Sequence, residues 1–193
     1  MFSKKVVSLF SLGLFGIVLT GCMPDMTLEE MKTMMDEEMK RPSELDKLDM
    51  FVGNWSGDGE ATFHMKESRT IKFTGNSSMK WGGDGWYLVD EFDGNMEIFG
   101  KHVGLNVWTY DPGSKSYRTT WFGNGGQSGS GVAKYDEEKN IWTMNGKTES
   151  SWGTMNGKGT MKFTDKDTMV WEWTEFGPFG SKVMEMKGTS HRK

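Results

Sequence analysis

From residue 52 onward, short runs of strand-like character are cut at regular intervals by turn sequences. "GGDG" at 82–85, "DPGSK" at 111–115, "DEEKN" at 136–140, Asn156-Gly157, "DKD" at 165–167 and "GPFG" at 177–180 supply most of the breaks. Between the breaks, strands are expected near 52–64, 69–80, 86–97, 101–110, 116–123, 127–135, 140–147, 156–164, 168–176 and 181–190. Residues of these types reverse the chain because they tolerate positive φ or pre-set a turn, and even spacing favours antiparallel neighbours joined in order. About ten short strands must then hide their edges, by closing into an up-and-down barrel or by stacking as a sandwich. The 193 residues suit one globular core. The expected fold is all-β, a single antiparallel up-and-down barrel of about ten strands.

Alternation sorts residues onto faces. "TMVWEWTE" places Met169, Trp171 and Trp173 on one side and Val170, Glu172 and Thr174 on the other. "YRTTWF" separates Tyr117, Thr119 and Trp121 from Arg118, Thr120 and Phe122. Neither side is wholly polar, which suits a barrel whose interior is not a pure hydrocarbon core.

The N-terminal segment stands apart. Lys4 and Lys5 precede the almost entirely apolar or small run Val6 to Leu19, which is too short to span a bilayer comfortably and reads as a signal peptide, residues 1–21. Leu19-Thr20-Gly21-Cys22 resembles the lipobox of bacterial lipoproteins. That resemblance implies that Cys22, the single cysteine, carries a diacylglycerol and becomes the new N-terminus, so the chain is expected to be exported and anchored to a membrane of the cell envelope.

Residues 22–42 read as an acidic, Met-rich stalk and 43–193 as the barrel domain. In the stalk, Thr27 and Glu30 form a capping box, and Leu28, Met31, Met35 and Met39 recur at helical spacing before Pro42. Clustered thioethers are soft ligands for Cu(I), but Met is also a good helix former and no His or Cys completes a site, so no metal is assigned. The stalk is a candidate contact for a partner protein. Ser43 starts a second helical turn that aims Leu45 and Leu48 inward. The formal net charge of −4, without a basic stripe, excludes nucleic acid as a partner.

Gly53-x-Trp55-x-Gly57-x-Gly59-Glu60, following a short helix, resembles the opening of calycin-type, lipocalin-like barrels. The resemblance implies that Trp55 plugs the closed end, with Gly53 and its neighbours allowing a sharp bend or close backbone approach. "LDMFVGNWSGDGE", the stretch from Trp108-x-Tyr110-Asp111 through Lys115-x-Tyr117 to Trp121, and the closing "KVMEMKGTSHRK" are together similar to the DUF1579 family over about residues 45–193. That family implies a fold and no catalytic residues.

The same opening also resembles nitrobindin-like haem barrels, which use a late histidine as iron ligand. Here the histidines are His64, His102 and His191, and His191 lies outside any matching motif, so no cofactor is assigned and haem stays a minor alternative. Other chemistry is equally sparse. "GQSGSG" lacks the Gly-x-Ser-x-Gly elbow, no phosphate loop ends the glycine run 123–131, and Asp165-x-Asp167 lacks the rest of a calcium loop. Glu172 and Glu175 fall on opposite sides of a strand and read mostly as solvated charge.

What remains is an aromatic-rich barrel suited to a small hydrophobic or amphipathic molecule. The candidate lining is Trp108, Tyr110, Trp121, Trp171 and Trp173, with Arg118 as an anion anchor. The alternative is a filled barrel serving as a structural or protein-contact module of the envelope, and a haem-binding barrel or an enzyme comes third.

Overall fold

The computed structural model describes residues 26–193; the signal-peptide and Cys22 readings lie outside the described residues. One unit, ending at Lys40, contains helix α1, Leu28–Glu38. Its capping box is formed: Thr27 Oγ1 accepts from the Glu30 amide at 3.2 Å, and a Glu30 carboxylate oxygen accepts from the Thr27 amide at 2.7 Å. The helix is shorter than the span suggested by its Met spacing because Met39 already leaves helical geometry at the C-cap. Met31, Met34, Met35 and Met39 are all exposed.

The second unit, Arg41–Lys193, is a closed barrel. Its strands are β1 Gly53–Phe63, β2 Arg69–Gly82, β3 Tyr87–Met96, β4 Gly100–Asp111, β5 Ser116–Gly123, β6 Ser128–Asp136, β7 Ile141–Ser150, β8 Gly153–Asp165, β9 Thr168–Phe176 and β10 Lys182–Arg192. Each pairs antiparallel with its sequence neighbours, and β1 pairs with β10 from Trp55 opposite Arg192 to Phe63 opposite Met184. Closure removes every free edge, so the sandwich alternative is excluded.

One expected turn is not a turn. Asn156-Gly157 lies inside β8, opposite Lys147 and Gly146, and the chain reverses at Ser151-Trp152 before Gly153. Gly157 serves a different need there: Trp173 lies flat against it, and any Cβ would overlap the indole. A dipeptide that usually signals a reversal here provides clearance on the inner wall.

A 3₁₀ helix, Ser43–Phe51, closes one end. Its N-cap is Pro42, without a side-chain hydrogen bond, and Leu45, Leu48 and Phe51 are buried. They pack with Trp55, Leu88, Trp108, Tyr117, Trp142 and Phe163. Phe51 is 5.3 Å from Trp142 and 5.7 Å from Trp108, ring centre to ring centre. Each aromatic side chain that removes roughly 200 Å² from water gains about 5 kcal/mol before entropy is charged, so this plug is the main store of stability.

Trp55 is buried at the closed end, within the cluster that the 3₁₀ helix completes. Its indole N–H donates to the Phe51 carbonyl at 2.8 Å, and the Arg192 guanidinium stacks over its ring at 4.2 Å. Arg192 also donates to the carbonyls of Val52 and, at 2.9 Å, Met50, tying the last strand to the entry of the first. Gly53 sits at φ +135°, and a Cβ there would lie 2.7 Å from that guanidinium.

Candidate functional site

The barrel interior divides along its axis. Strand alternation puts Phe73 and Ser77 of β2, Phe92 of β3, His102 of β4, Trp121 of β5 and Trp171 and Trp173 of β9 on the inner wall, all of them only partly buried. They lie beyond the plug, toward the end from which the β1–β2, β3–β4, β5–β6, β7–β8 and β9–β10 loops project. A cavity of about 300 Å³ opens there, lined by Phe73, Phe92, Met96, His102, Trp171 and Met186 among others. Exposed apolar residues mark the surrounding loops: Met65, Ile98, Phe99, Trp152 and Phe179.

Small residues create this space. Gly57, Gly75 and Gly94 stand opposite one another on β1, β2 and β3, and Gly131, Gly146 and Gly157 do so on β6, β7 and β8. These inner-wall rows carry no side chain. Large rings lie over several inner-wall glycines: Trp173 covers Gly157, Trp121 covers Gly129 so closely that a Cβ would overlap its indole nitrogen, and Trp171 leaves only 2.7 Å for a Cβ at Gly188. Rings held flat against the wall occupy less of the lumen than rings pointing across it.

The expected lining residues separate into three groups. Trp171 lines the cavity, and Trp121 and Trp173 share its inner wall. Trp108 and Tyr110 belong to the closed end: Trp108 is buried in the plug, and Tyr110 packs on it beside Tyr117 at 5.1 Å. Their expected place in the lining is corrected by depth, since they share the inner face but sit near the end that the 3₁₀ helix fills. Arg118 is on the outer wall and pairs with Asp111, so it is not an anion anchor for the lumen. It alternates against Tyr117 and Thr119, both of which face inward.

Three polar inner-wall groups escaped the sequence reading. Asp90 is buried and accepts a hydrogen bond from the Ser77 hydroxyl; burial pushes its carboxyl up to about 6. Asn106 faces Asp90 directly across the β3–β4 ladder, and its Oδ1 is buried without a hydrogen-bond partner. Glu175, read as solvated, is buried next to Trp173 and accepts from Thr148 Oγ1 at 2.6 Å and from the Trp173 indole at 3.4 Å. The signal was phase: Asp90 is in step with inward Leu88 and Phe92, Asn106 with Trp108, and Glu175 with Trp171 and Trp173.

The three histidines lie apart from one another in the barrel. His191 is exposed on the outer wall, its Nδ1 3.4 Å from Thr168 Oγ1, and His64 is hydrogen-bonded to Glu185 at 2.7 Å. His102 does face the cavity, stacked on Phe92 at 5.7 Å between ring centres, and burial lowers its pKa toward the neutral ring. Among the described residues, no group of three or more His, Cys, Asp and Glu side chains is arranged to hold a metal ion.

A family model described as a protein of unknown function, DUF1579, matches residues 42–192, nearly the whole barrel unit. The chain belongs to the DUF1579 family. Among solved structures, this DUF1579 barrel is similar to Rv2717c from M. tuberculosis, with a TM-score of 0.59 at 12% identity over 80% of this chain and 99% of that one. It is also similar to the S-type phycobiliprotein lyase CPES from Guillardia theta, with a TM-score of 0.54 at 10% identity over 79% of this chain and 94% of that one. At these identities the likeness is one of fold. Among curated proteins, no relative matches the chain.

Proposed function

We propose that this DUF1579 protein is a non-enzymatic binder of a small hydrophobic or amphipathic molecule, held on the cell envelope by a lipid on Cys22. The observation that carries the binding reading is the cavity of about 300 Å³ in the half of the barrel that the plug leaves unfilled. That volume falls at the lower end of small-molecule sites, and the lining has their composition: aromatic rings and thioethers with a few polar groups. A plugged end gives such a site a fixed floor, so binding needs little ordering of the protein. The anchoring reading rests on the Leu19-Thr20-Gly21-Cys22 sequence after an apolar run.

Native mass spectrometry of the gently purified chain, with an absorption spectrum of the same sample, tests the binding reading. A stoichiometric added mass that leaves on denaturation is the expected result. An apo mass that stays unchanged after exposure to a lipid extract contradicts it. Metabolic labelling with a fatty acid tests the anchor, which requires label in the wild type and none in Cys22→Ser.

A second reading has its own support. Met65, Ile98, Phe99, Trp152 and Phe179 expose apolar surface on loops at the unplugged end, as a protein-contact surface would. In that case the rim carries the function and the lumen is incidental. Charged substitutions at Trp152 and Phe179 would then abolish partner binding, whereas a lumen variant such as Trp171→Ala would leave it intact.

A further inference from the structure

The loops at the two ends of the barrel differ in kind. At the unplugged end, four of the five loops carry large exposed apolar side chains: Met65, Ile98 with Phe99, Trp152 and Phe179. Charge there is confined to Lys66, Glu67 and Glu97, and the loops 124–127, 151–152 and 177–181 have none. At the closed end every loop is charged, through Asp84, Lys115, the run Glu137 to Lys139, and Lys166 with Asp167. Among the described residues, those loops expose one large apolar side chain, Trp86. Turn geometry does not ask for the rings at the mouth. Phe99, Trp152 and Phe179 each precede a glycine at positive φ, Gly100, Gly153 and Gly180, which carries the reversal and leaves the position before it open to other residues. Phe99 leans on Phe63, 5.2 Å between ring centres, whereas Phe179, 99% exposed, gains no burial at all.

We infer that this rim seats the mouth of the barrel on a lipid bilayer, with the loop tips in the boundary between headgroups and acyl chains. Aromatic side chains favour that boundary, and charges resist it. The tips stand on separate loops around the opening of the cavity. They are separate wedges, which a fluid bilayer accepts, and they enclose no continuous centre on which a folded partner could pack. The inference rests on the anchoring reading above for its tether. Twenty residues lie between Cys22 and Ser43; the 11 of α1 span about 16 Å, and the rest can add at most about 30 Å. An 11-residue strand such as β1 spans at most about 36 Å. A chain that enters the barrel at its closed end is therefore long enough for anchor and mouth to meet one bilayer. That arrangement lets a membrane-dissolved molecule enter the lumen without crossing water.

The test places a polarity-sensitive dye on a thiol of the full chain, in Phe179→Cys at the mouth or Lys139→Cys at the closed end, and adds phosphatidylcholine vesicles with brominated acyl chains. The dye at 179 should shift to the blue and be quenched at least twofold, and the dye at 139 should do neither. Ile98→Glu combined with Trp152→Glu, both at exposed positions, should bring the quenching at 179 down to that at 139. Should that pair fail to fold, Met65→Glu takes its place. Quenching that persists through these substitutions, or equal quenching at both sites, overturns the inference. A dye at 179 that stays in water also overturns it and returns the rim to a protein partner. The number of dyes separates the rim from the anchor: a second dye on either variant means a free Cys22 and overturns the anchoring reading, after which the rim is read in a Cys22→Ser chain.

Discussion

The two ends of this barrel are built from the same residue types to opposite effect. At the closed end, Trp55 and Trp142 are essentially inaccessible and interlock with Phe51, Trp108 and Phe163. Beyond the plug, Trp121, Trp171 and Trp173 lie over glycines and remain half-buried. The difference comes from what the rings face. At one end a 3₁₀ helix supplies leucines and a phenylalanine to fill the lumen; at the other, rows of glycine leave it open. Aromatic content alone therefore does not distinguish a core from a cavity.

The largest expected effect breaks the closed end. Trp142→Ala should cost about 3–5 kcal/mol in urea unfolding, because a fully buried ring is replaced by a void that its neighbours cannot fill. Trp171→Ala, in the half-open region, should cost less than Trp142→Ala, about 1–3 kcal/mol, since part of its surface is already accessible. Equal losses at the two positions would erase the distinction between the ends.

Next comes Asp90, whose ionised form its buried place on the inner wall accommodates poorly. Its carboxyl moves from 3.8 to about 6 in the folded state, and its cross-strand neighbours, Met79 and Asn106, carry no charge. The folded protein therefore binds this proton more tightly than the unfolded chain. The associated stability is fully present below about pH 3.8 and is lost as pH rises through 6. Asp90→Asn should raise stability by at most about 3 kcal/mol near neutrality and have almost no effect near pH 4. A matched pair of denaturation series at the two pH values checks this, and a pH-independent difference contradicts it.

Gly129→Ala should cost about 1–3 kcal/mol and change tryptophan emission, because the new methyl displaces Trp121 from the wall. The smallest effect is expected at Arg118→Ala. Its exposed pairing with Asp111 is worth at most about 1 kcal/mol, and ligand affinity should be unchanged. A loss of binding in that variant would return Arg118 to the site.

The strands were legible in the sequence because turn chemistry is local: "DPGSK", "DEEKN" and "GPFG" reverse the chain wherever they stand. Asn156-Gly157 misled because the same dipeptide also provides room for a ring from a neighbouring strand, a fact about β9 that β8 does not contain. The lining was half legible for a related reason. Alternation assigns a residue to the inner or outer face, as it did for Trp171 and Trp173, but says nothing of its depth along the axis. Depth depends on which strand ends the 3₁₀ helix covers, and this separated Trp108 and Tyr110 from Trp121. Asp90 and Asn106 were passed over because single polar residues in a strand usually mark the solvent side, although their phase already placed them with Leu88 and Trp108.

The most direct test of a plugged end beside a binding end uses the indole N–H resonances as position markers. With the resonances assigned, octanol is titrated into the labelled chain and each tryptophan is followed separately. Trp171, which lines the cavity, should shift in a saturable manner, while Trp142, fully buried in the plug, stays fixed. Shifts of equal size at Trp171 and Trp142, or none at Trp171, would contradict the division of the barrel into a core and a site.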